Sequence, residues 1–154
     1  RGVSSVKSTS IVTVVGNLAD NVAEINSRTY NAMARNGISI FLVSQPDSDE
    51  KFSVAMAEPE TEKALRILRD EFAPELQSGQ VASVEPTHNL AIVAVVGEAI
   101  HSESGLGARL TNTLQREGID VRAVSDGASD TTIAIVVDND NVEQSLKLVH
   151  EACF

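Results

Sequence analysis

The sequence predicts an α+β protein built from two similar units in tandem. The first observation is an internal repeat, because GISIFLVSQ at residues 37–45 returns 81 residues later as GIDVRAVSD at residues 118–126. The second is that the same displacement aligns IVTVVG at residues 11–16 with IVAVVG at residues 92–97, and Ser48-Asp49 with Ser129-Asp130. A gapless repeat of this length indicates one supersecondary unit written twice, so any function must be explained for a pair.

Apolar spacing in the first copy predicts two helices between four strands. The β-branched run at residues 11–15 indicates a central strand, and residues 38–45, 52–56 and 80–85 indicate three more. A helix is expected to begin at Asn21, which forms a capping-box pattern with Glu24, and to end at Asn36-Gly37. Pro59 suits the first position of a second helix, which Pro74 is expected to end.

The second copy repeats this order without its fourth strand. It has predicted strands at residues 90–96, 119–124 and 132–137 and helices at about residues 104–117 and 141–153. Each copy is thus typical of a ferredoxin-like βαββαβ unit, an antiparallel sheet with two helices on one face. We place the first unit at residues 8–87 and the second at 88–154. Because an unpaired strand edge is a liability, we expect residues 2–7 to complete the second sheet.

Pairing of sheets is a further expectation. The outward positions Ile11, Thr13 and Val15, and their repeats Ile92, Ala94 and Val96, form apolar faces that two helices per unit would leave partly open. We therefore expect side-by-side sheets, within one chain or across a homodimer.

Composition excludes several classes of function. A formal charge of −10 over 154 residues disfavours binding to a phosphate backbone, so no nucleic acid is expected. No apolar run approaches the roughly 18 residues of a membrane span. The single cysteine, Cys153, lies among apolar residues at helical spacing, as expected for a reduced, cytoplasmic protein. The chain begins at Arg1 rather than methionine, which favours a piece of a longer protein.

Catalysis by this piece is not predicted. His88, His101 and His150 occupy non-equivalent positions of the two copies, so they predict no metal site and no duplicated catalytic site. No Gly-x-Ser-x-Gly elbow and no glycine-rich phosphate loop with its lysine is present.

Several of these motifs together carry a family resemblance. The second copy has Val95-Val96-Gly97, Gly105, Gly118-Ile119, GASD at residues 127–130 and IAIVV at residues 133–137. This set resembles the paired ACT domains at the C-terminal end of aspartate kinases. The spacing is particularly similar to the regulatory region that joins aspartate kinase to homoserine dehydrogenase in bifunctional enzymes.

The resemblance implies a regulatory function without chemistry. In such enzymes the region binds an end product of aspartate-family biosynthesis, lysine or threonine, and passes a feedback signal to a kinase domain of the same parent chain. The parent would use ATP and Mg²⁺, whereas this region would need no cofactor.

The resemblance also implies where the effector binds. In relatives the effector lies at the loop after the first strand, the start of the first helix and the end of the second strand. By position, the first-unit candidates are Asn17, Ala19, Asp20, Asn21, Val22, Val43, Ser44, Gln45, Ser48 and Asp49. The second-unit candidates are Glu98, Ile100, Ser102, Gly105, Ser125, Asp126, Ser129 and Asp130. Backbone N–H groups at a helix start suit the effector carboxylate, and Asp20, Gln45 and Asp126 could accept from its ammonium.

Simpler interpretations stay open. Asp20 and Asp49 fit solvated turn carboxylates, Glu24 fits a helix cap, and Ser48 and Ser129 could bond within their own turns. The whole region could also be a ligand-free dimerisation module of the kinase, or the regulatory tail of another amino-acid enzyme with ACT units.

Overall fold

The computed structural model describes residues 2–44, 50–97, 105–125 and 132–154. By contacts between Cα atoms the chain divides into two compact units. The first unit is Ser10–His88, and the second unit combines Arg1–Thr9 with Asn89–Phe154. The first unit is therefore inserted in the sequence of the second.

Two long strands belong to both units, and the other elements belong to one each. The elements up to the second long strand are β1 Gly2–Gly16, α1 Val22–Arg35, β2 Leu42–Ser44, β3 Lys51–Ala57, α2 Thr61–Glu71, α3 Ala73–Ser78 and β4 Val81–Val96. The remaining elements are α4 Leu106–Arg116, β5 Val121–Ser125, β6 Thr132–Asp138 and α5 Val142–Cys153. Short 3₁₀ turns at Glu58–Glu60 and Asn139–Asn141 precede α2 and α5.

The strand order is β2-β3-β1-β4-β6-β5. Read within each unit, β2-β3-β1-β4 and β1-β4-β6-β5 are both the order of a split-βαβ sheet, with the long strands adjacent. β2 pairs antiparallel with β3 from Leu42↔Ala55 to Ser44↔Ser53. β6 pairs antiparallel with β4, and with β5 through a register shift between Val121 and Ala123. The predicted fold of two ferredoxin-like units is confirmed.

Each unit has its own hydrophobic core between one sheet face and its helices. In the first unit alternate strand residues such as Val12, Val14 and Val54 pack with Ile25 and Leu68 of the helices. In the second unit the same positions of the repeat contribute Val93, Val95 and Ile135 from strands, with Leu106 and Val149 from helices. Period-two alternation in the strands and 3.6-residue spacing in the helices create these faces.

The opposite sheet faces are apolar as well. Ile11 and Ile92 are buried within the single chain, at 4% and 5% exposure. Val96 is 45% exposed, and it stands at the C-terminal end of β4.

Three local predictions are wrong. The strands predicted at residues 80–85 and 90–96 are one strand, β4, which continues through the polar residues between them. Residues 3–7 and 11–15 likewise belong to one strand, β1. Pro74 does not end the second helix of the first unit. That helix ends at Glu71, and Pro74 stands in the first turn of α3, where its missing N–H costs nothing.

Candidate functional site

The loop after β1 starts from a glycine held between two other segments. Gly16 N–H donates to the Glu50 carbonyl at 2.9 Å, and Asn17 N–H donates to the Gln80 carbonyl at 2.9 Å. A Cβ on Gly16 would overlap the Gln80 carbonyl oxygen and lie 2.8 Å from Val81 Cα. Only glycine permits this approach, which fixes where the loop leaves the sheet.

A tight turn then leads into α1. Asn21 N–H donates to the Leu18 carbonyl at 3.0 Å, and Leu18 is buried in the first-unit core at 1% exposure. Asn17, Ala19 and Asp20 are consequently exposed around a buried anchor. Sequence reasoning missed the anchor, although a single leucine within an otherwise polar loop was the available signal.

The predicted capping box between Asn21 and Glu24 is wrong. Asn21 is the N-cap of α1, but its φ of −130° and ψ of 16° lie outside the extended region typical of a capping residue, and its side chain makes no capping bond. The Glu24 carboxylate instead lies 3.6 Å from the Arg28 guanidinium one turn along the helix. The first N–H groups of an uncapped helix need other partners, such as water or a bound anion.

The second candidate segment is the end of β2. Val43 pairs with Val54, and Ser44 pairs with Ser53, whose hydroxyl is 2.9 Å from the Thr13 hydroxyl of β1. The end of β1 lies beside Glu50, immediately before β3, and the end of β2 lies beside the first half of β3. Both strands therefore end at the same edge of the first-unit sheet.

Candidates from both segments contact the same hydrophobic core. Val22 at the start of α1 and Val43 in β2 both pack against the first-unit core, and Ser44 is buried. Gln45, Ser48 and Asp49 lie outside the described residues.

Only two second-unit candidates fall within the described residues. Ser125 is half-buried at the end of β5 and pairs with Ala134 of β6. Gly105 caps α4 with a φ of 76°, a left-handed conformation that favours glycine, whereas the equivalent Glu24 is already helical. The other candidates, Glu98, Ile100, Ser102, Asp126, Ser129 and Asp130, lie outside the described residues.

Titratable side chains of the described residues form ion pairs but no metal-ligand cluster. Within residues 2–44, 50–97, 105–125 and 132–154, no cluster of three or more His, Cys, Asp or Glu side chains is arranged to hold a metal ion. His88 Nδ1 lies 3.1 Å from a Glu58 carboxylate oxygen, and His150 stacks on Phe154. Among the same residues, none of the helices has the length and apolar character needed to cross a membrane.

Among the described residues, Arg28 and Arg122 have raised pKa values, and both belong to ion pairs. The hydrogen bond that Arg28 donates to the Glu75 carboxylate is the main cause of the raised pKa of Arg28, opposed by desolvation and reinforced by Glu71. For Arg122, the two hydrogen bonds to the Asp138 carboxylate, at 3.0 and 3.1 Å, raise the pKa against desolvation.

A shallow, open depression of about 690 Å³ lies over the exposed face of α4, and the sequence did not predict it. Its lining residues are Gly105, Ala108, Arg109, Asn112, Gln115 and Arg116.

Comparison with protein families and curated proteins gives a consistent result. The family model described as "ACT domain" matches residues 12–72 and again residues 93–153, displaced by the 81 residues of the internal repeat. The chain is 29% identical over 154 residues to a bifunctional aspartokinase/homoserine dehydrogenase of Haemophilus influenzae. The match covers all of this chain and 19% of that relative, so the chain spans about a fifth of its length.

Solved structures share the fold across the whole chain. The regulatory subunit of aspartate kinase from Thermus thermophilus superposes with a TM-score of 0.73 at 17% identity, covering 99% of this chain and 97% of that one. The aspartokinase III of E. coli, solved in complex with lysine and aspartate, has a TM-score of 0.66 at 22% identity. That match covers all of this chain and 33% of the aspartokinase.

Proposed function

This chain belongs to the ACT domain family, and from that premise we propose that it is the allosteric regulatory region of an aspartate kinase. It binds an end-product amino acid, lysine or threonine, and performs no chemistry itself. The observation that carries the proposal is that the ACT domain model matches the chain twice, at positions 81 residues apart. The fold supports it, because it superposes on 97% of a regulatory subunit of aspartate kinase.

The first-unit site has the groups that an amino acid requires. The start of α1 presents backbone N–H groups and the positive end of a helix dipole to a carboxylate. The exposed Asp20 carboxylate, on the turn that leads into α1, is an acceptor for an ammonium group. Gln45, Ser48 and Asp49 complete the proposed site after β2, and Ser125, Asp126, Ser129 and Asp130 contribute to its counterpart in the second unit.

The proposal extends to the domain boundaries and to the parent polypeptide. We assign the first ACT domain to residues 8–87. We assign the second ACT domain to residues 88–154, with residues 2–7 as its last strand. The parent polypeptide carries the aspartate kinase domain, which uses ATP and Mg²⁺, and works as a homodimer in the cytoplasm. Feedback requires that the effector bind one state of this assembly more tightly than the other.

A thermal-shift titration tests the proposal. The 154-residue chain is heated with lysine, threonine, methionine or isoleucine over a concentration series, because a ligand that binds only the folded form must raise its stability by mass action. We expect a saturable rise with lysine or threonine. Asp20→Asn should weaken that response by about tenfold, the usual scale for losing a charge-assisted hydrogen bond. Asp140→Asn is the control, an exposed carboxylate in the 3₁₀ turn before α5.

A ligand-free assembly module is the second candidate function, favoured by exposed apolar residues on the strands. Phe41 is 43% exposed and its N–H donates to Ala55 of β3, so it extends the edge strand β2. Sedimentation at micromolar concentration separates the two functions when combined with the titration. A stable dimer without any thermal response would support assembly alone, whereas a saturable response supports the sensor.

A further inference from the structure

The helices α1 and α4 end in the same backbone turn, but with different residues at the capping position. Asn36 follows α1 with a φ of −104° and a ψ of 13°, and Glu117 follows α4 with a φ of −89° and a ψ of 10°. The next residue is a left-handed glycine in both units, with a φ of 71° at Gly37 and 78° at Gly118. The repeat thus aligns an asparagine–glycine step with a glutamate–glycine step.

The asparagine–glycine step is chemically reactive. Asn36 is the only asparagine in the sequence that precedes a glycine. Glycine has no side chain beside its own nitrogen, so nothing hinders attack of that nitrogen on the carboxamide carbon of the preceding residue. Asn36 and Gly37 are both exposed, so water can reach the reacting atoms. Sequence and exposure together therefore favour cyclisation at this step.

Hydrogen bonds occupy both reacting groups in the closed turn. Gly37 N–H donates to the Ala34 carbonyl at 3.1 Å, and Asn36 Nδ2 donates to the Ala32 carbonyl at 2.7 Å. Because both nitrogens are engaged, cyclisation requires that the last turn of α1 open first. Helix ends open at a lower cost in free energy than the core of a fold.

We propose that Asn36 is a site of spontaneous deamidation, reached through opening of the last turn of α1. The Gly37 nitrogen gives its proton to water or hydroxide and bonds to Cγ of Asn36, and Nδ2 leaves as ammonia. Water then opens the cyclic imide at either carbonyl. The product is an aspartate at position 36, or an isoaspartate with one more carbon in the main chain. The net reaction converts an amide and water to a carboxylate and ammonium, and it does not rest on effector binding.

The modification adds a negative charge to a pocket that is already acidic. A shallow, open pocket of about 280 Å³ is lined by Ala32, Arg35, Asn36, Ile67, Asp70 and Glu71. Arg35 Nη2 lies 3.6 Å from a Glu71 carboxylate oxygen, so this guanidinium already contacts a carboxylate. A further carboxylate here is repelled by its neighbours and by the negative end of the α1 dipole. It also loses the bond that Asn36 Nδ2 donates, so the aspartate form should be less stable than the parent chain.

The second unit indicates which product the turn accepts. Glu117 carries a carboxylate at the same position, so the backbone there tolerates an acidic residue. An isoaspartate lengthens the main chain before Ile38, whose N–H donates to the Met33 carbonyl at 3.0 Å. Ile38 and Met33 are both buried in the first-unit core, so close packing keeps them from following a longer chain. The aspartate form therefore keeps the closed turn, and the isoaspartate form loses it.

Peptide mapping by mass spectrometry tests the modification site. The full chain and a free peptide with the sequence of residues 33–40 are kept in mildly alkaline buffer, and conversion of amide to acid is followed against a zero-time digest. Conversion at Asn36 in the folded chain is expected to be between about tenfold and a hundredfold slower than in the peptide, because the turn must open. Asn31, exposed on the same helix and followed by Ala32, is the internal control and should stay an amide.

Two matched variants test the opening step. Ala34→Gly weakens the last turn of α1 and should raise the rate at Asn36 about three- to fivefold, the ratio set by the helix propensities of alanine and glycine. Ala108→Gly makes the same change at an exposed position of α4 and should leave that rate unchanged. Circular dichroism and urea unfolding verify that both variants are folded.

The two products are compared after ion exchange has separated them. Asn36→Asp is the reference for the aspartate form, and its unfolding midpoint in urea should be lower than that of the parent chain. In the isoaspartate form the amide hydrogen of Ile38 should exchange at least about tenfold faster than in the aspartate form, because the turn no longer closes.

Each of the following outcomes would overturn the proposal. One is an unmodified Asn36 in the folded chain after about a hundred half-lives of the free peptide, and another is an equal rate in the chain and the peptide. Conversion at Asn31 as fast as at Asn36 would mean that exposure alone decides the site. An unchanged rate in Ala34→Gly, or equal acceleration in Ala108→Gly, would exclude opening of α1 as the step that limits the reaction.

Discussion

Ser8 and Asn89 stand at the same position of the repeat, and both have a left-handed backbone, with φ of 54° and 60°. They lie inside the long strands β1 and β4, directly before Thr9-Ser10 and directly after His88, where the chain passes between its two compact units. Left-handed residues other than glycine are uncommon, and asparagine tolerates the conformation better than serine. The duplication has therefore preserved a backbone distortion as well as a sequence pattern.

Substitution by glycine should change the free energy of unfolding in opposite directions at Ser8 and at Ser4, a nearby position of β1. Ser8→Gly is expected to raise the free energy of unfolding by about 0.5–1 kcal/mol, because it removes the left-handed penalty of a side chain. Ser4→Gly, at an exposed position of β1 without positive φ, should lower it by about 0.5–1 kcal/mol through chain entropy. Urea unfolding measures both, and a decrease in both variants would argue against strain at Ser8.

Gly16→Ala should both destabilise the chain and disturb the proposed effector loop. The added Cβ meets backbone atoms of Gln80 and Val81, which cannot move independently of β4, so a loss of about 2–3 kcal/mol is expected. Gly2→Ala is the control, since a Cβ there meets no atom within 4 Å. Equal unfolding midpoints for the two variants in urea would show that β1 and β4 separate easily at this point.

Arg28→Lys should cost about 1–2 kcal/mol although the charge is kept. Lysine cannot reproduce the fork that joins Glu71 and Glu75 or the stacking on Phe72. Arg35→Lys, at a side chain 68% exposed with one longer contact, should change the free energy of unfolding by less than about 0.5 kcal/mol. Chemical denaturation of both variants measures the difference, and a larger loss at Arg35 would contradict it.

The pH dependence of Arg28 should be flat near neutrality. Its partners, Glu75 first, raise its pKa above the ordinary value, so its contribution is complete below the unfolded pKa and is lost only as the pH rises through the folded pKa. Both values lie in strong alkali. The difference between the parent chain and Arg28→Lys should therefore stay constant in denaturation series from about pH 6 to 9.

A buried polar pair in the first unit should show strong energetic coupling. The hydroxyls of Ser10 and Thr61 share a hydrogen bond and are both buried, whereas the second unit has Ala91 and Val142 at these positions. Thr61→Val alone should cost about 1–3 kcal/mol, since it leaves the Ser10 hydroxyl unsatisfied. Ser10→Ala/Thr61→Val should recover much of that loss. A double-mutant cycle in urea gives the coupling, and additive losses would contradict it.

Most of the fold could be predicted because the sequence patterns that indicate strands and helices are local and occur in both copies of the repeat. The 81-residue displacement is confirmed by the two family matches, and α1, predicted to end at Asn36-Gly37, ends at Arg35. Boundaries failed where tertiary pairing overrides local sequence. The strand β4 continues through Pro86 and Asn89, two residue types that are typical of a loop in isolation.

The sequence could predict which segments form the candidate site, but not which of their side chains are buried. A polar loop before α1 and a strand end with serine are visible in sequence, but burial of Leu18 depends on the packed core. The two carboxylates that Arg28 contacts were also invisible in the sequence, because Glu71 and Glu75 approach it only in the folded first unit.

The insertion of one unit within the other sets an order of events during synthesis. Residues 2–9 are synthesised before the first unit, yet the part of β4 that belongs to the same unit as residues 2–9 begins at Asn89. At about 5–20 residues per second, the 79 residues of Ser10–His88 take roughly 4–16 s to make. The nascent chain therefore holds an unpaired strand for seconds, and it closes the second sheet last.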